Sequence, residues 1–246
     1  MAMLNNFNPS DETRLRLIVT ITKKAVYSIF VFYKMDLKVS FARPVGPYDM
    51  LWNKCVGKFC HVEMSVEMDK DLFRVMVDSN IEQAYSPKTL EDILTRTKDT
   101  ELKTLNVCFY VMWGDVVSVR FLTNLHDNPL MSPPRGPVYE NVTLQLEVEE
   151  LQTIVGYNLR QLGKPYDIPR ALMLLSHITI RLDGEPDKFF CSQLIMHTLL
   201  NSGLYVDEIK QLKNINHMTP TNVYDWLTKQ KPKTIKQDGA QEKTNG

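Results

Sequence analysis

The chain has 246 residues, 43% of them hydrophobic, with 29 basic and 29 acidic side chains and no formal net charge at neutral pH. That length buries a substantial core without staples, and the charge balance supplies no global field of the kind that draws a protein onto nucleic acid or anionic lipid. Four cysteines, Cys55, Cys60, Cys108 and Cys191, are too few and too irregularly spaced for a secreted disulfide scaffold, and they point to a reducing, cytoplasmic or otherwise intracellular setting.

Residues 1–11 are polar, lack a signal-peptide pattern and read as a flexible start. Residues 12–41 read as two or three additional strands, because Leu15, Leu17, Val19 and Ile21 alternate with their neighbours and Val, Ile, Phe and Tyr dominate the rest. The uninterrupted apolar part, Ala25 to Tyr33, falls far short of the ~20 residues that span a bilayer, so no transmembrane segment is expected. Arg43 to Pro47 is a break, and Tyr48 to Asn53 suits a short helix with Pro47 at its first turn.

Lys58 to Met68 carries the clearest alternation in the chain. Cys60, Val62, Met64, Val66 and Met68 fall on one face of a strand, and His61, Glu63, Ser65 and Glu67 on the other. The pattern predicts further strand over Phe73–Val77, a turn or strand end at Asp78–Asn80, and a short helix from Pro87 to Leu94 with Ser86 as N-cap. Two apolar strands, Leu105–Met112 and Asp115–Leu122, flank Trp113-Gly114. Thr123 to Tyr139 holds Pro129, Pro133, Pro134 and Pro137 and reads as a long loop that borders a groove.

Thr143 is expected to open an amphipathic helix carrying Leu151, Ile154, Val155, Asn158, Leu159 and Leu162, with Gly163 as its C-cap. A rigid Gly163-Lys-Pro-Tyr-Asp-Ile-Pro169 turn and a helix over Arg170–Ile180 follow. Phe189 and Phe190 then run into Cys191 and Ser192, after which Leu194, Ile195, Thr198 and Leu199 recur at helical spacing until Gly203. A thiol at the first turn of a helix lies near its unpaired N–H groups and the positive end of its dipole, which favours thiolate. Thr219-Pro220 starts a last short helix to Leu227, and residues 229–246 form a Lys-rich tail expected to be disordered. Residues 12–228 are expected to form one domain.

His61 on its strand, the Gly163-Lys-Pro-Tyr166-Asp167 turn and Phe190-Cys191-Ser192-Gln193-Leu194 at a helix start together resemble the NlpC superfamily of papain-like thiol enzymes. Histidine before cysteine is similar to the circularly permuted branch, which holds bacterial YiiX-like proteins and the lecithin retinol acyltransferase group, with relatives in large DNA viruses. The resemblance covers residues ~58 to 227 by pattern. It implies an α+β fold with a papain-like, permuted NlpC-type core, in which an antiparallel sheet carrying His61 packs against the Cys191 helix.

It also implies a cysteine hydrolase or acyltransferase that cleaves an amide or ester through an acyl-enzyme thioester and needs no cofactor. A cysteine nucleophile requires a base, and the base a third group that fixes its tautomer. Cys191 and His61 take the first two roles. Glu82 is the expected third residue, since it shares the strand parity of Asp78 and Asn80, with Gln83 as the alternative and Glu63 as a further candidate. The Cys191 backbone N–H is one oxyanion donor, and Tyr166 resembles the family's tyrosine beside the thiol. The partner is an amide- or ester-containing substrate, of peptide, muropeptide or lipid type. Nucleic acid is not an expected partner, for want of a basic aromatic patch.

Two other readings compete. Cys55, Cys60, His61 and Cys191 are residue types that ligate zinc, but Cys60 and His61 face opposite ways on a strand, so no metal is expected. A catalytically silent member of the same fold would instead serve as a structural or binding protein, for example in a virus particle.

Overall fold

The computed structural model describes residues 35–43, 57–122, 139–176, 186–212, 214–230 and 235–236. Its centre is an antiparallel sheet of β1 (Met35–Ala42), β2 (His61–Asp69), β3 (Thr104–Tyr110), β4 (Ser118–Leu122), β5 (Tyr139–Leu146) and the two-residue β6 (Ile235–Lys236), in the order β4-β3-β2-β1-β5-β6. The helices are α1 (Lys70–Asn80), α2 (Pro87–Lys98), α3 (Val148–Gln161), α4 (Ile168–Ser176), α5 (Cys191–Asn201), α6 (Val206–Lys210) and α7 (Pro220–Lys229). The chain is therefore α+β, with the Cys191 helix α5 packed on β2.

The core follows from strand alternation. Leu37, Val39 and Phe41 of β1, Val62, Met64, Val66 and Met68 of β2, and Val107 and Phe109 of β3 are all buried. Register aligns them, with Val39 opposite Met64 and Met64 opposite Phe109. They join one apolar cluster with Leu151, Ile154, Val155 and Leu159 of α3 and Leu194, Ile195 and Leu199 of α5. Burying this many large side chains, at roughly 1.5–3 kcal/mol each, is the principal force holding helices and sheet together.

The structure departs from the expected elements in four places. Phe73–Val77 is helix, because Asp69 Oδ1 accepts from the backbone N–H of Asp71 and Leu72 and starts α1, whose Leu72, Phe73, Met76 and Val77 form one buried face. Tyr139–Leu146 is strand, paired with β1 along its whole length; helix α3 starts only after Glu147, which exchanges capping hydrogen bonds with Glu150. The expected Asp115–Leu122 strand begins at Ser118, since Val116 and Val117 pair instead with the turn at Lys164 and Pro165. Within the expected disordered tail, Ile235 and Lys236 pair with Leu144 and Thr143. The expected strands before Met35, the helix over Tyr48–Asn53 and the Pro-rich loop lie outside the described residues, apart from Tyr139.

Candidate active site

Cys191 is the first residue of α5 and is 6% exposed. Its position is held from three directions. Ser192 Oγ donates to the Met218 carbonyl at 2.6 Å, Gln193 Nε2 donates to Asn216 Oδ1 at 2.9 Å, and Thr198 Oγ1 donates to Asn158 Oδ1 of α3 at 3.3 Å. Asn158 in turn points an amide N–H at Met64 Sδ on β2. Phe190 precedes the helix in an extended conformation, and among the described residues no side chain caps the first turn. Among the described residues nothing takes up the opening N–H groups of α5, that of Cys191 among them.

His61 is the first residue of β2, 6% exposed, so its ring sits at the end of the strand on which α5 packs. Cys191 and Glu63 are the ionisable neighbours that act on its ring. Burial is the largest influence and disfavours the imidazolium, but the neighbouring Cys191 sulfur and Glu63 carboxylate together outweigh it, and the His61 pKa is pushed up to about 9. Nε2 lies 3.5 Å from Glu63 Oε2, long for a hydrogen bond and close for a charge pair.

Glu63 is 4% exposed and is also gripped by Arg120 Nη2 of β4 at 2.5 Å. Its burial would raise its pKa, but His61 and Arg120 hold the carboxyl below its ordinary value. Arg120 lies over the Tyr110 ring, 4.5 Å from its centroid. Cys108, opposite both Ser65 and Arg120 in register, is fully buried, and burial pushes its thiol well above the usual range. A chemically ordered row therefore runs Cys191, His61, Glu63, Arg120.

Tyr166 reaches the same place from the Gly163 turn. Gly163 takes φ +89°, and a Cβ there would meet Ser86 Cβ at 3.0 Å. The turn is laced to its surroundings on two sides: Tyr166 N–H donates to the Asp115 carbonyl, Val117 N–H to Lys164, Phe189 N–H to Pro165, and Asp167 N–H to Phe189. Tyr166 thereby pairs with Phe189, close to Cys191 in sequence and in space. Burial first, and then the neighbouring Cys191 and Asp167, push the phenol far up, so Tyr166 stays a neutral O–H donor at any ordinary pH.

The structure brings together Cys191, His61, Tyr166 and Glu63. Glu82 and Gln83 are placed elsewhere, exposed on a 3-10 turn at Ile81–Gln83 beside α1 and α2. Their selection rested on strand parity with Asp78 and Asn80, and those residues end helix α1, where alternation has no meaning. The carboxylate facing His61 belongs to Glu63, two residues along the same strand, a position legible in the His-x-Glu alternation. Arg120 had no local signal, because it arrives from two strands away. Cys55 lies outside the described residues; among those described, no three His, Cys, Asp or Glu side chains group as metal ligands. No helix among them is long and apolar enough to cross a membrane.

Comparison of the chain with protein-family models, with curated proteins and with solved structures gives no match. The chemistry of the site thus rests on its own geometry.

Proposed function

We propose that this protein is a cysteine hydrolase or acyltransferase acting on an amide or ester carbonyl, with Cys191 as nucleophile, His61 as general base and acid, and Glu63 as the group that orients His61. The nearness of His61 to Cys191 at the start of a helix, with the buried Glu63 carboxylate 3.5 Å from the His61 ring, carries the reading. The order of histidine strand, tyrosine turn and cysteine helix around an antiparallel sheet also supports a papain-like core of the permuted NlpC type.

With His61 held as imidazolium by its raised pKa, the Cys191 sulfur attacks the carbonyl carbon as the thiolate of the pair. A C–S bond forms as the carbonyl π pair moves onto oxygen, where the Cys191 N–H and the Tyr166 O–H are the available donors. Collapse of that intermediate expels the amine or alcohol, which takes the proton from His61 and leaves a thioester on Cys191. A second acceptor, water or another nucleophile, gives its proton to His61, attacks the thioester and frees the thiol. Glu63 keeps the ring aligned and stabilises imidazolium throughout, and Arg120 keeps Glu63 ionised. The free thiols Cys60, Cys108 and Cys191 suit an intracellular, reducing setting.

The deciding experiment is labelling with a thiol-directed acyl probe. The wild type is expected to be acylated at Cys191, with His61→Asn labelled at least a hundredfold more slowly, in the range a positioned base contributes. Labelling that is unchanged in Cys191→Ala would instead mean a silent fold with a structural or binding role.

A further inference from the structure

The mechanism leaves unused a set of buried polar side chains that follows Cys191 along α5. Gln193 and His197 are four residues apart on that helix, so they share one face. Both meet the same atom, Asn216 Oδ1: Gln193 Nε2 at 2.9 Å and His197 Nε2 at 2.8 Å. All three residues are buried. Asn216 lies in the 3-10 turn Ile215–His217 between α6 and α7, and its own N–H donates to Asn214 Oδ1 at 3.1 Å. Two residues on, the Met218 carbonyl accepts from Ser192 Oγ. One short turn thus grips positions 192, 193 and 197, which span the first two turns of the helix that Cys191 opens.

The grip centres on one oxygen. An amide oxygen offers two lone pairs, and the two donors use both. His197 Nε2 stands 2.8 Å from an acceptor, so it is the ring nitrogen that carries the proton. Gln193 Oε1 is buried with no partner among the described residues, so what holds that side chain there is its bond to Asn216. Phe189 joins the set: its ring lies edge-on to His197 with centroids 5.8 Å apart, while its backbone pairs with Tyr166. In the interior no water replaces a broken bond, so rotating or sliding α5 would strip both donors of their acceptor together. The same movement would carry the Cys191 sulfur, on the first residue of α5, away from His61 on β2.

We propose that Asn216 is a positioning residue for Cys191: its Oδ1, by accepting from Gln193 and His197 at once, fixes the rotation of the start of α5 and so the place of the sulfur relative to His61. The inference rests on Cys191 and His61 as the reacting pair and adds which group sets their approach. Asn216 takes no part in making or breaking bonds. It acts through the helix.

Asn216→Leu removes the oxygen at nearly constant size, and Asn216→Asp keeps an oxygen for both donors, with His197 gaining a proton as counter-charge. Acylation of Cys191 by the thiol-directed acyl probe is followed against probe concentration and against pH. In Asn216→Leu the maximal rate should fall roughly tenfold to a hundredfold, the scale on which a small misplacement acts, with the half-saturating probe concentration within about twofold of the wild type. Its alkaline limb, set in the wild type by the His61 pKa of about 9, should move to lower pH as the sulfur withdraws. Asn216→Asp should restore both the rate and the limb. Asn201→Ala, which drops a side-chain bond to the His197 carbonyl at the end of the same helix, should lower thermal stability and leave both in place. Gln193→Met removes one donor only and should show the Asn216→Leu pattern at smaller size, which serves where Asn216→Leu does not fold.

A folded Asn216→Leu or Gln193→Met with the wild-type rate and limb, an Asn216→Asp as slow as Asn216→Leu, or an Asn201→Ala equally slow overturns the inference and leaves the thiol chemistry standing. Alkylation by iodoacetamide needs no turnover and separates the two readings. If the probe never acylates Cys191, an alkylation rate at Cys191 that changes severalfold in Asn216→Leu and reverts in Asn216→Asp supports the positioning while the proposed function fails. Alkylation equal in all three proteins then overturns both.

Discussion

Arg120 Nη2 lies 2.5 Å from Glu63 Oε2, and the same carboxylate oxygen lies 3.5 Å from His61 Nε2. One buried carboxylate thus joins a permanent cation on β4 to a titrating ring on β2. The two strands are separated by β3, so the pair forms only when register sets Cys108 opposite both Ser65 and Arg120. Glu63 stays charged in a buried position because two positive partners offset its desolvation.

Breaking that pair from either end takes the principal ion-pair partner from a charge that is mostly buried, Glu63 keeping only the longer 3.5 Å approach to His61. Arg120→Met is expected to cost about 3–5 kcal/mol of stability. Glu63→Gln/Arg120→Met together should cost less than the sum of the single changes, because no unpaired charge remains. Urea unfolding of the two single variants and the double variant measures the coupling.

In the proposed mechanism Glu63 stabilises the imidazolium, so its charge would set the alkaline limb of Cys191 acylation. Removing it lowers the His61 pKa from about 9. The rate of Cys191 acylation in Glu63→Gln is therefore expected to fall off at a lower pH than in the wild type, as well as being slower. A pH–rate profile whose alkaline limb stays in place would remove Glu63 from its assigned role and leave the dyad intact.

The same group couples folding to pH. The His61 pKa is raised in the folded chain to about 9 from an ordinary 6.5, so the stability it contributes is full below pH 6.5 and is lost as pH rises towards 9. The loss across that window is on the order of 3 kcal/mol. Glu63 acts with the opposite sign: its lowered pKa contributes stability above the ordinary carboxylate range, and that stability is lost as pH falls through its folded value. Denaturant unfolding across pH 6 to 10 should show the alkaline decline in the wild type and a much flatter line in His61→Asn.

The entry to β2 is fastened at Gly57, which takes φ +98° against Thr221. A Cβ there would sit 2.7 Å from Thr221 Oγ1, the atom that accepts from Phe59 N–H. Gly57→Ala combines a left-handed backbone with that clash, and about 1–3 kcal/mol of destabilisation is expected. Because Phe59 leads directly into His61, the acylation rate should drop with it. Thermal unfolding and the labelling rate, measured on the same protein, test both.

Thr219 caps α7 by accepting from Asn222 N–H, and Asn222 Oδ1 accepts from the Thr219 N–H in return. Thr219→Ala is expected to cost about 1 kcal/mol without moving the pH profile, since the cap removes no charge from beside His61. A shifted alkaline limb in this variant would mean that the profile reports general loosening and not the charge on Glu63.

Helix α7 with its Thr219 cap, the start of α5 at Cys191, the alternation through β2 and the Gly163 turn were all legible in the chain itself. Each depends on hydrogen bonds or periodicity within a few residues, which sequence spacing states directly. The stretches 73–77 and 143–146 misled for the same local reason. A short apolar run fits either period, and Asp69 and Glu147, the caps that decide where helix begins, lie just outside the runs they control.

By itself, then, the sequence offered the residue types for the proposed chemistry: a cysteine at a helix start, a histidine on an alternating strand with a glutamate two residues on, and a tyrosine on a rigid turn. Only the tertiary structure decided which carboxylate faces His61 and that Arg120 holds it. Those relations join segments far apart in the chain. They exist because strand register, the seating of α5 on β2 and the burial of charge are settled together by packing, and no local spacing records that outcome.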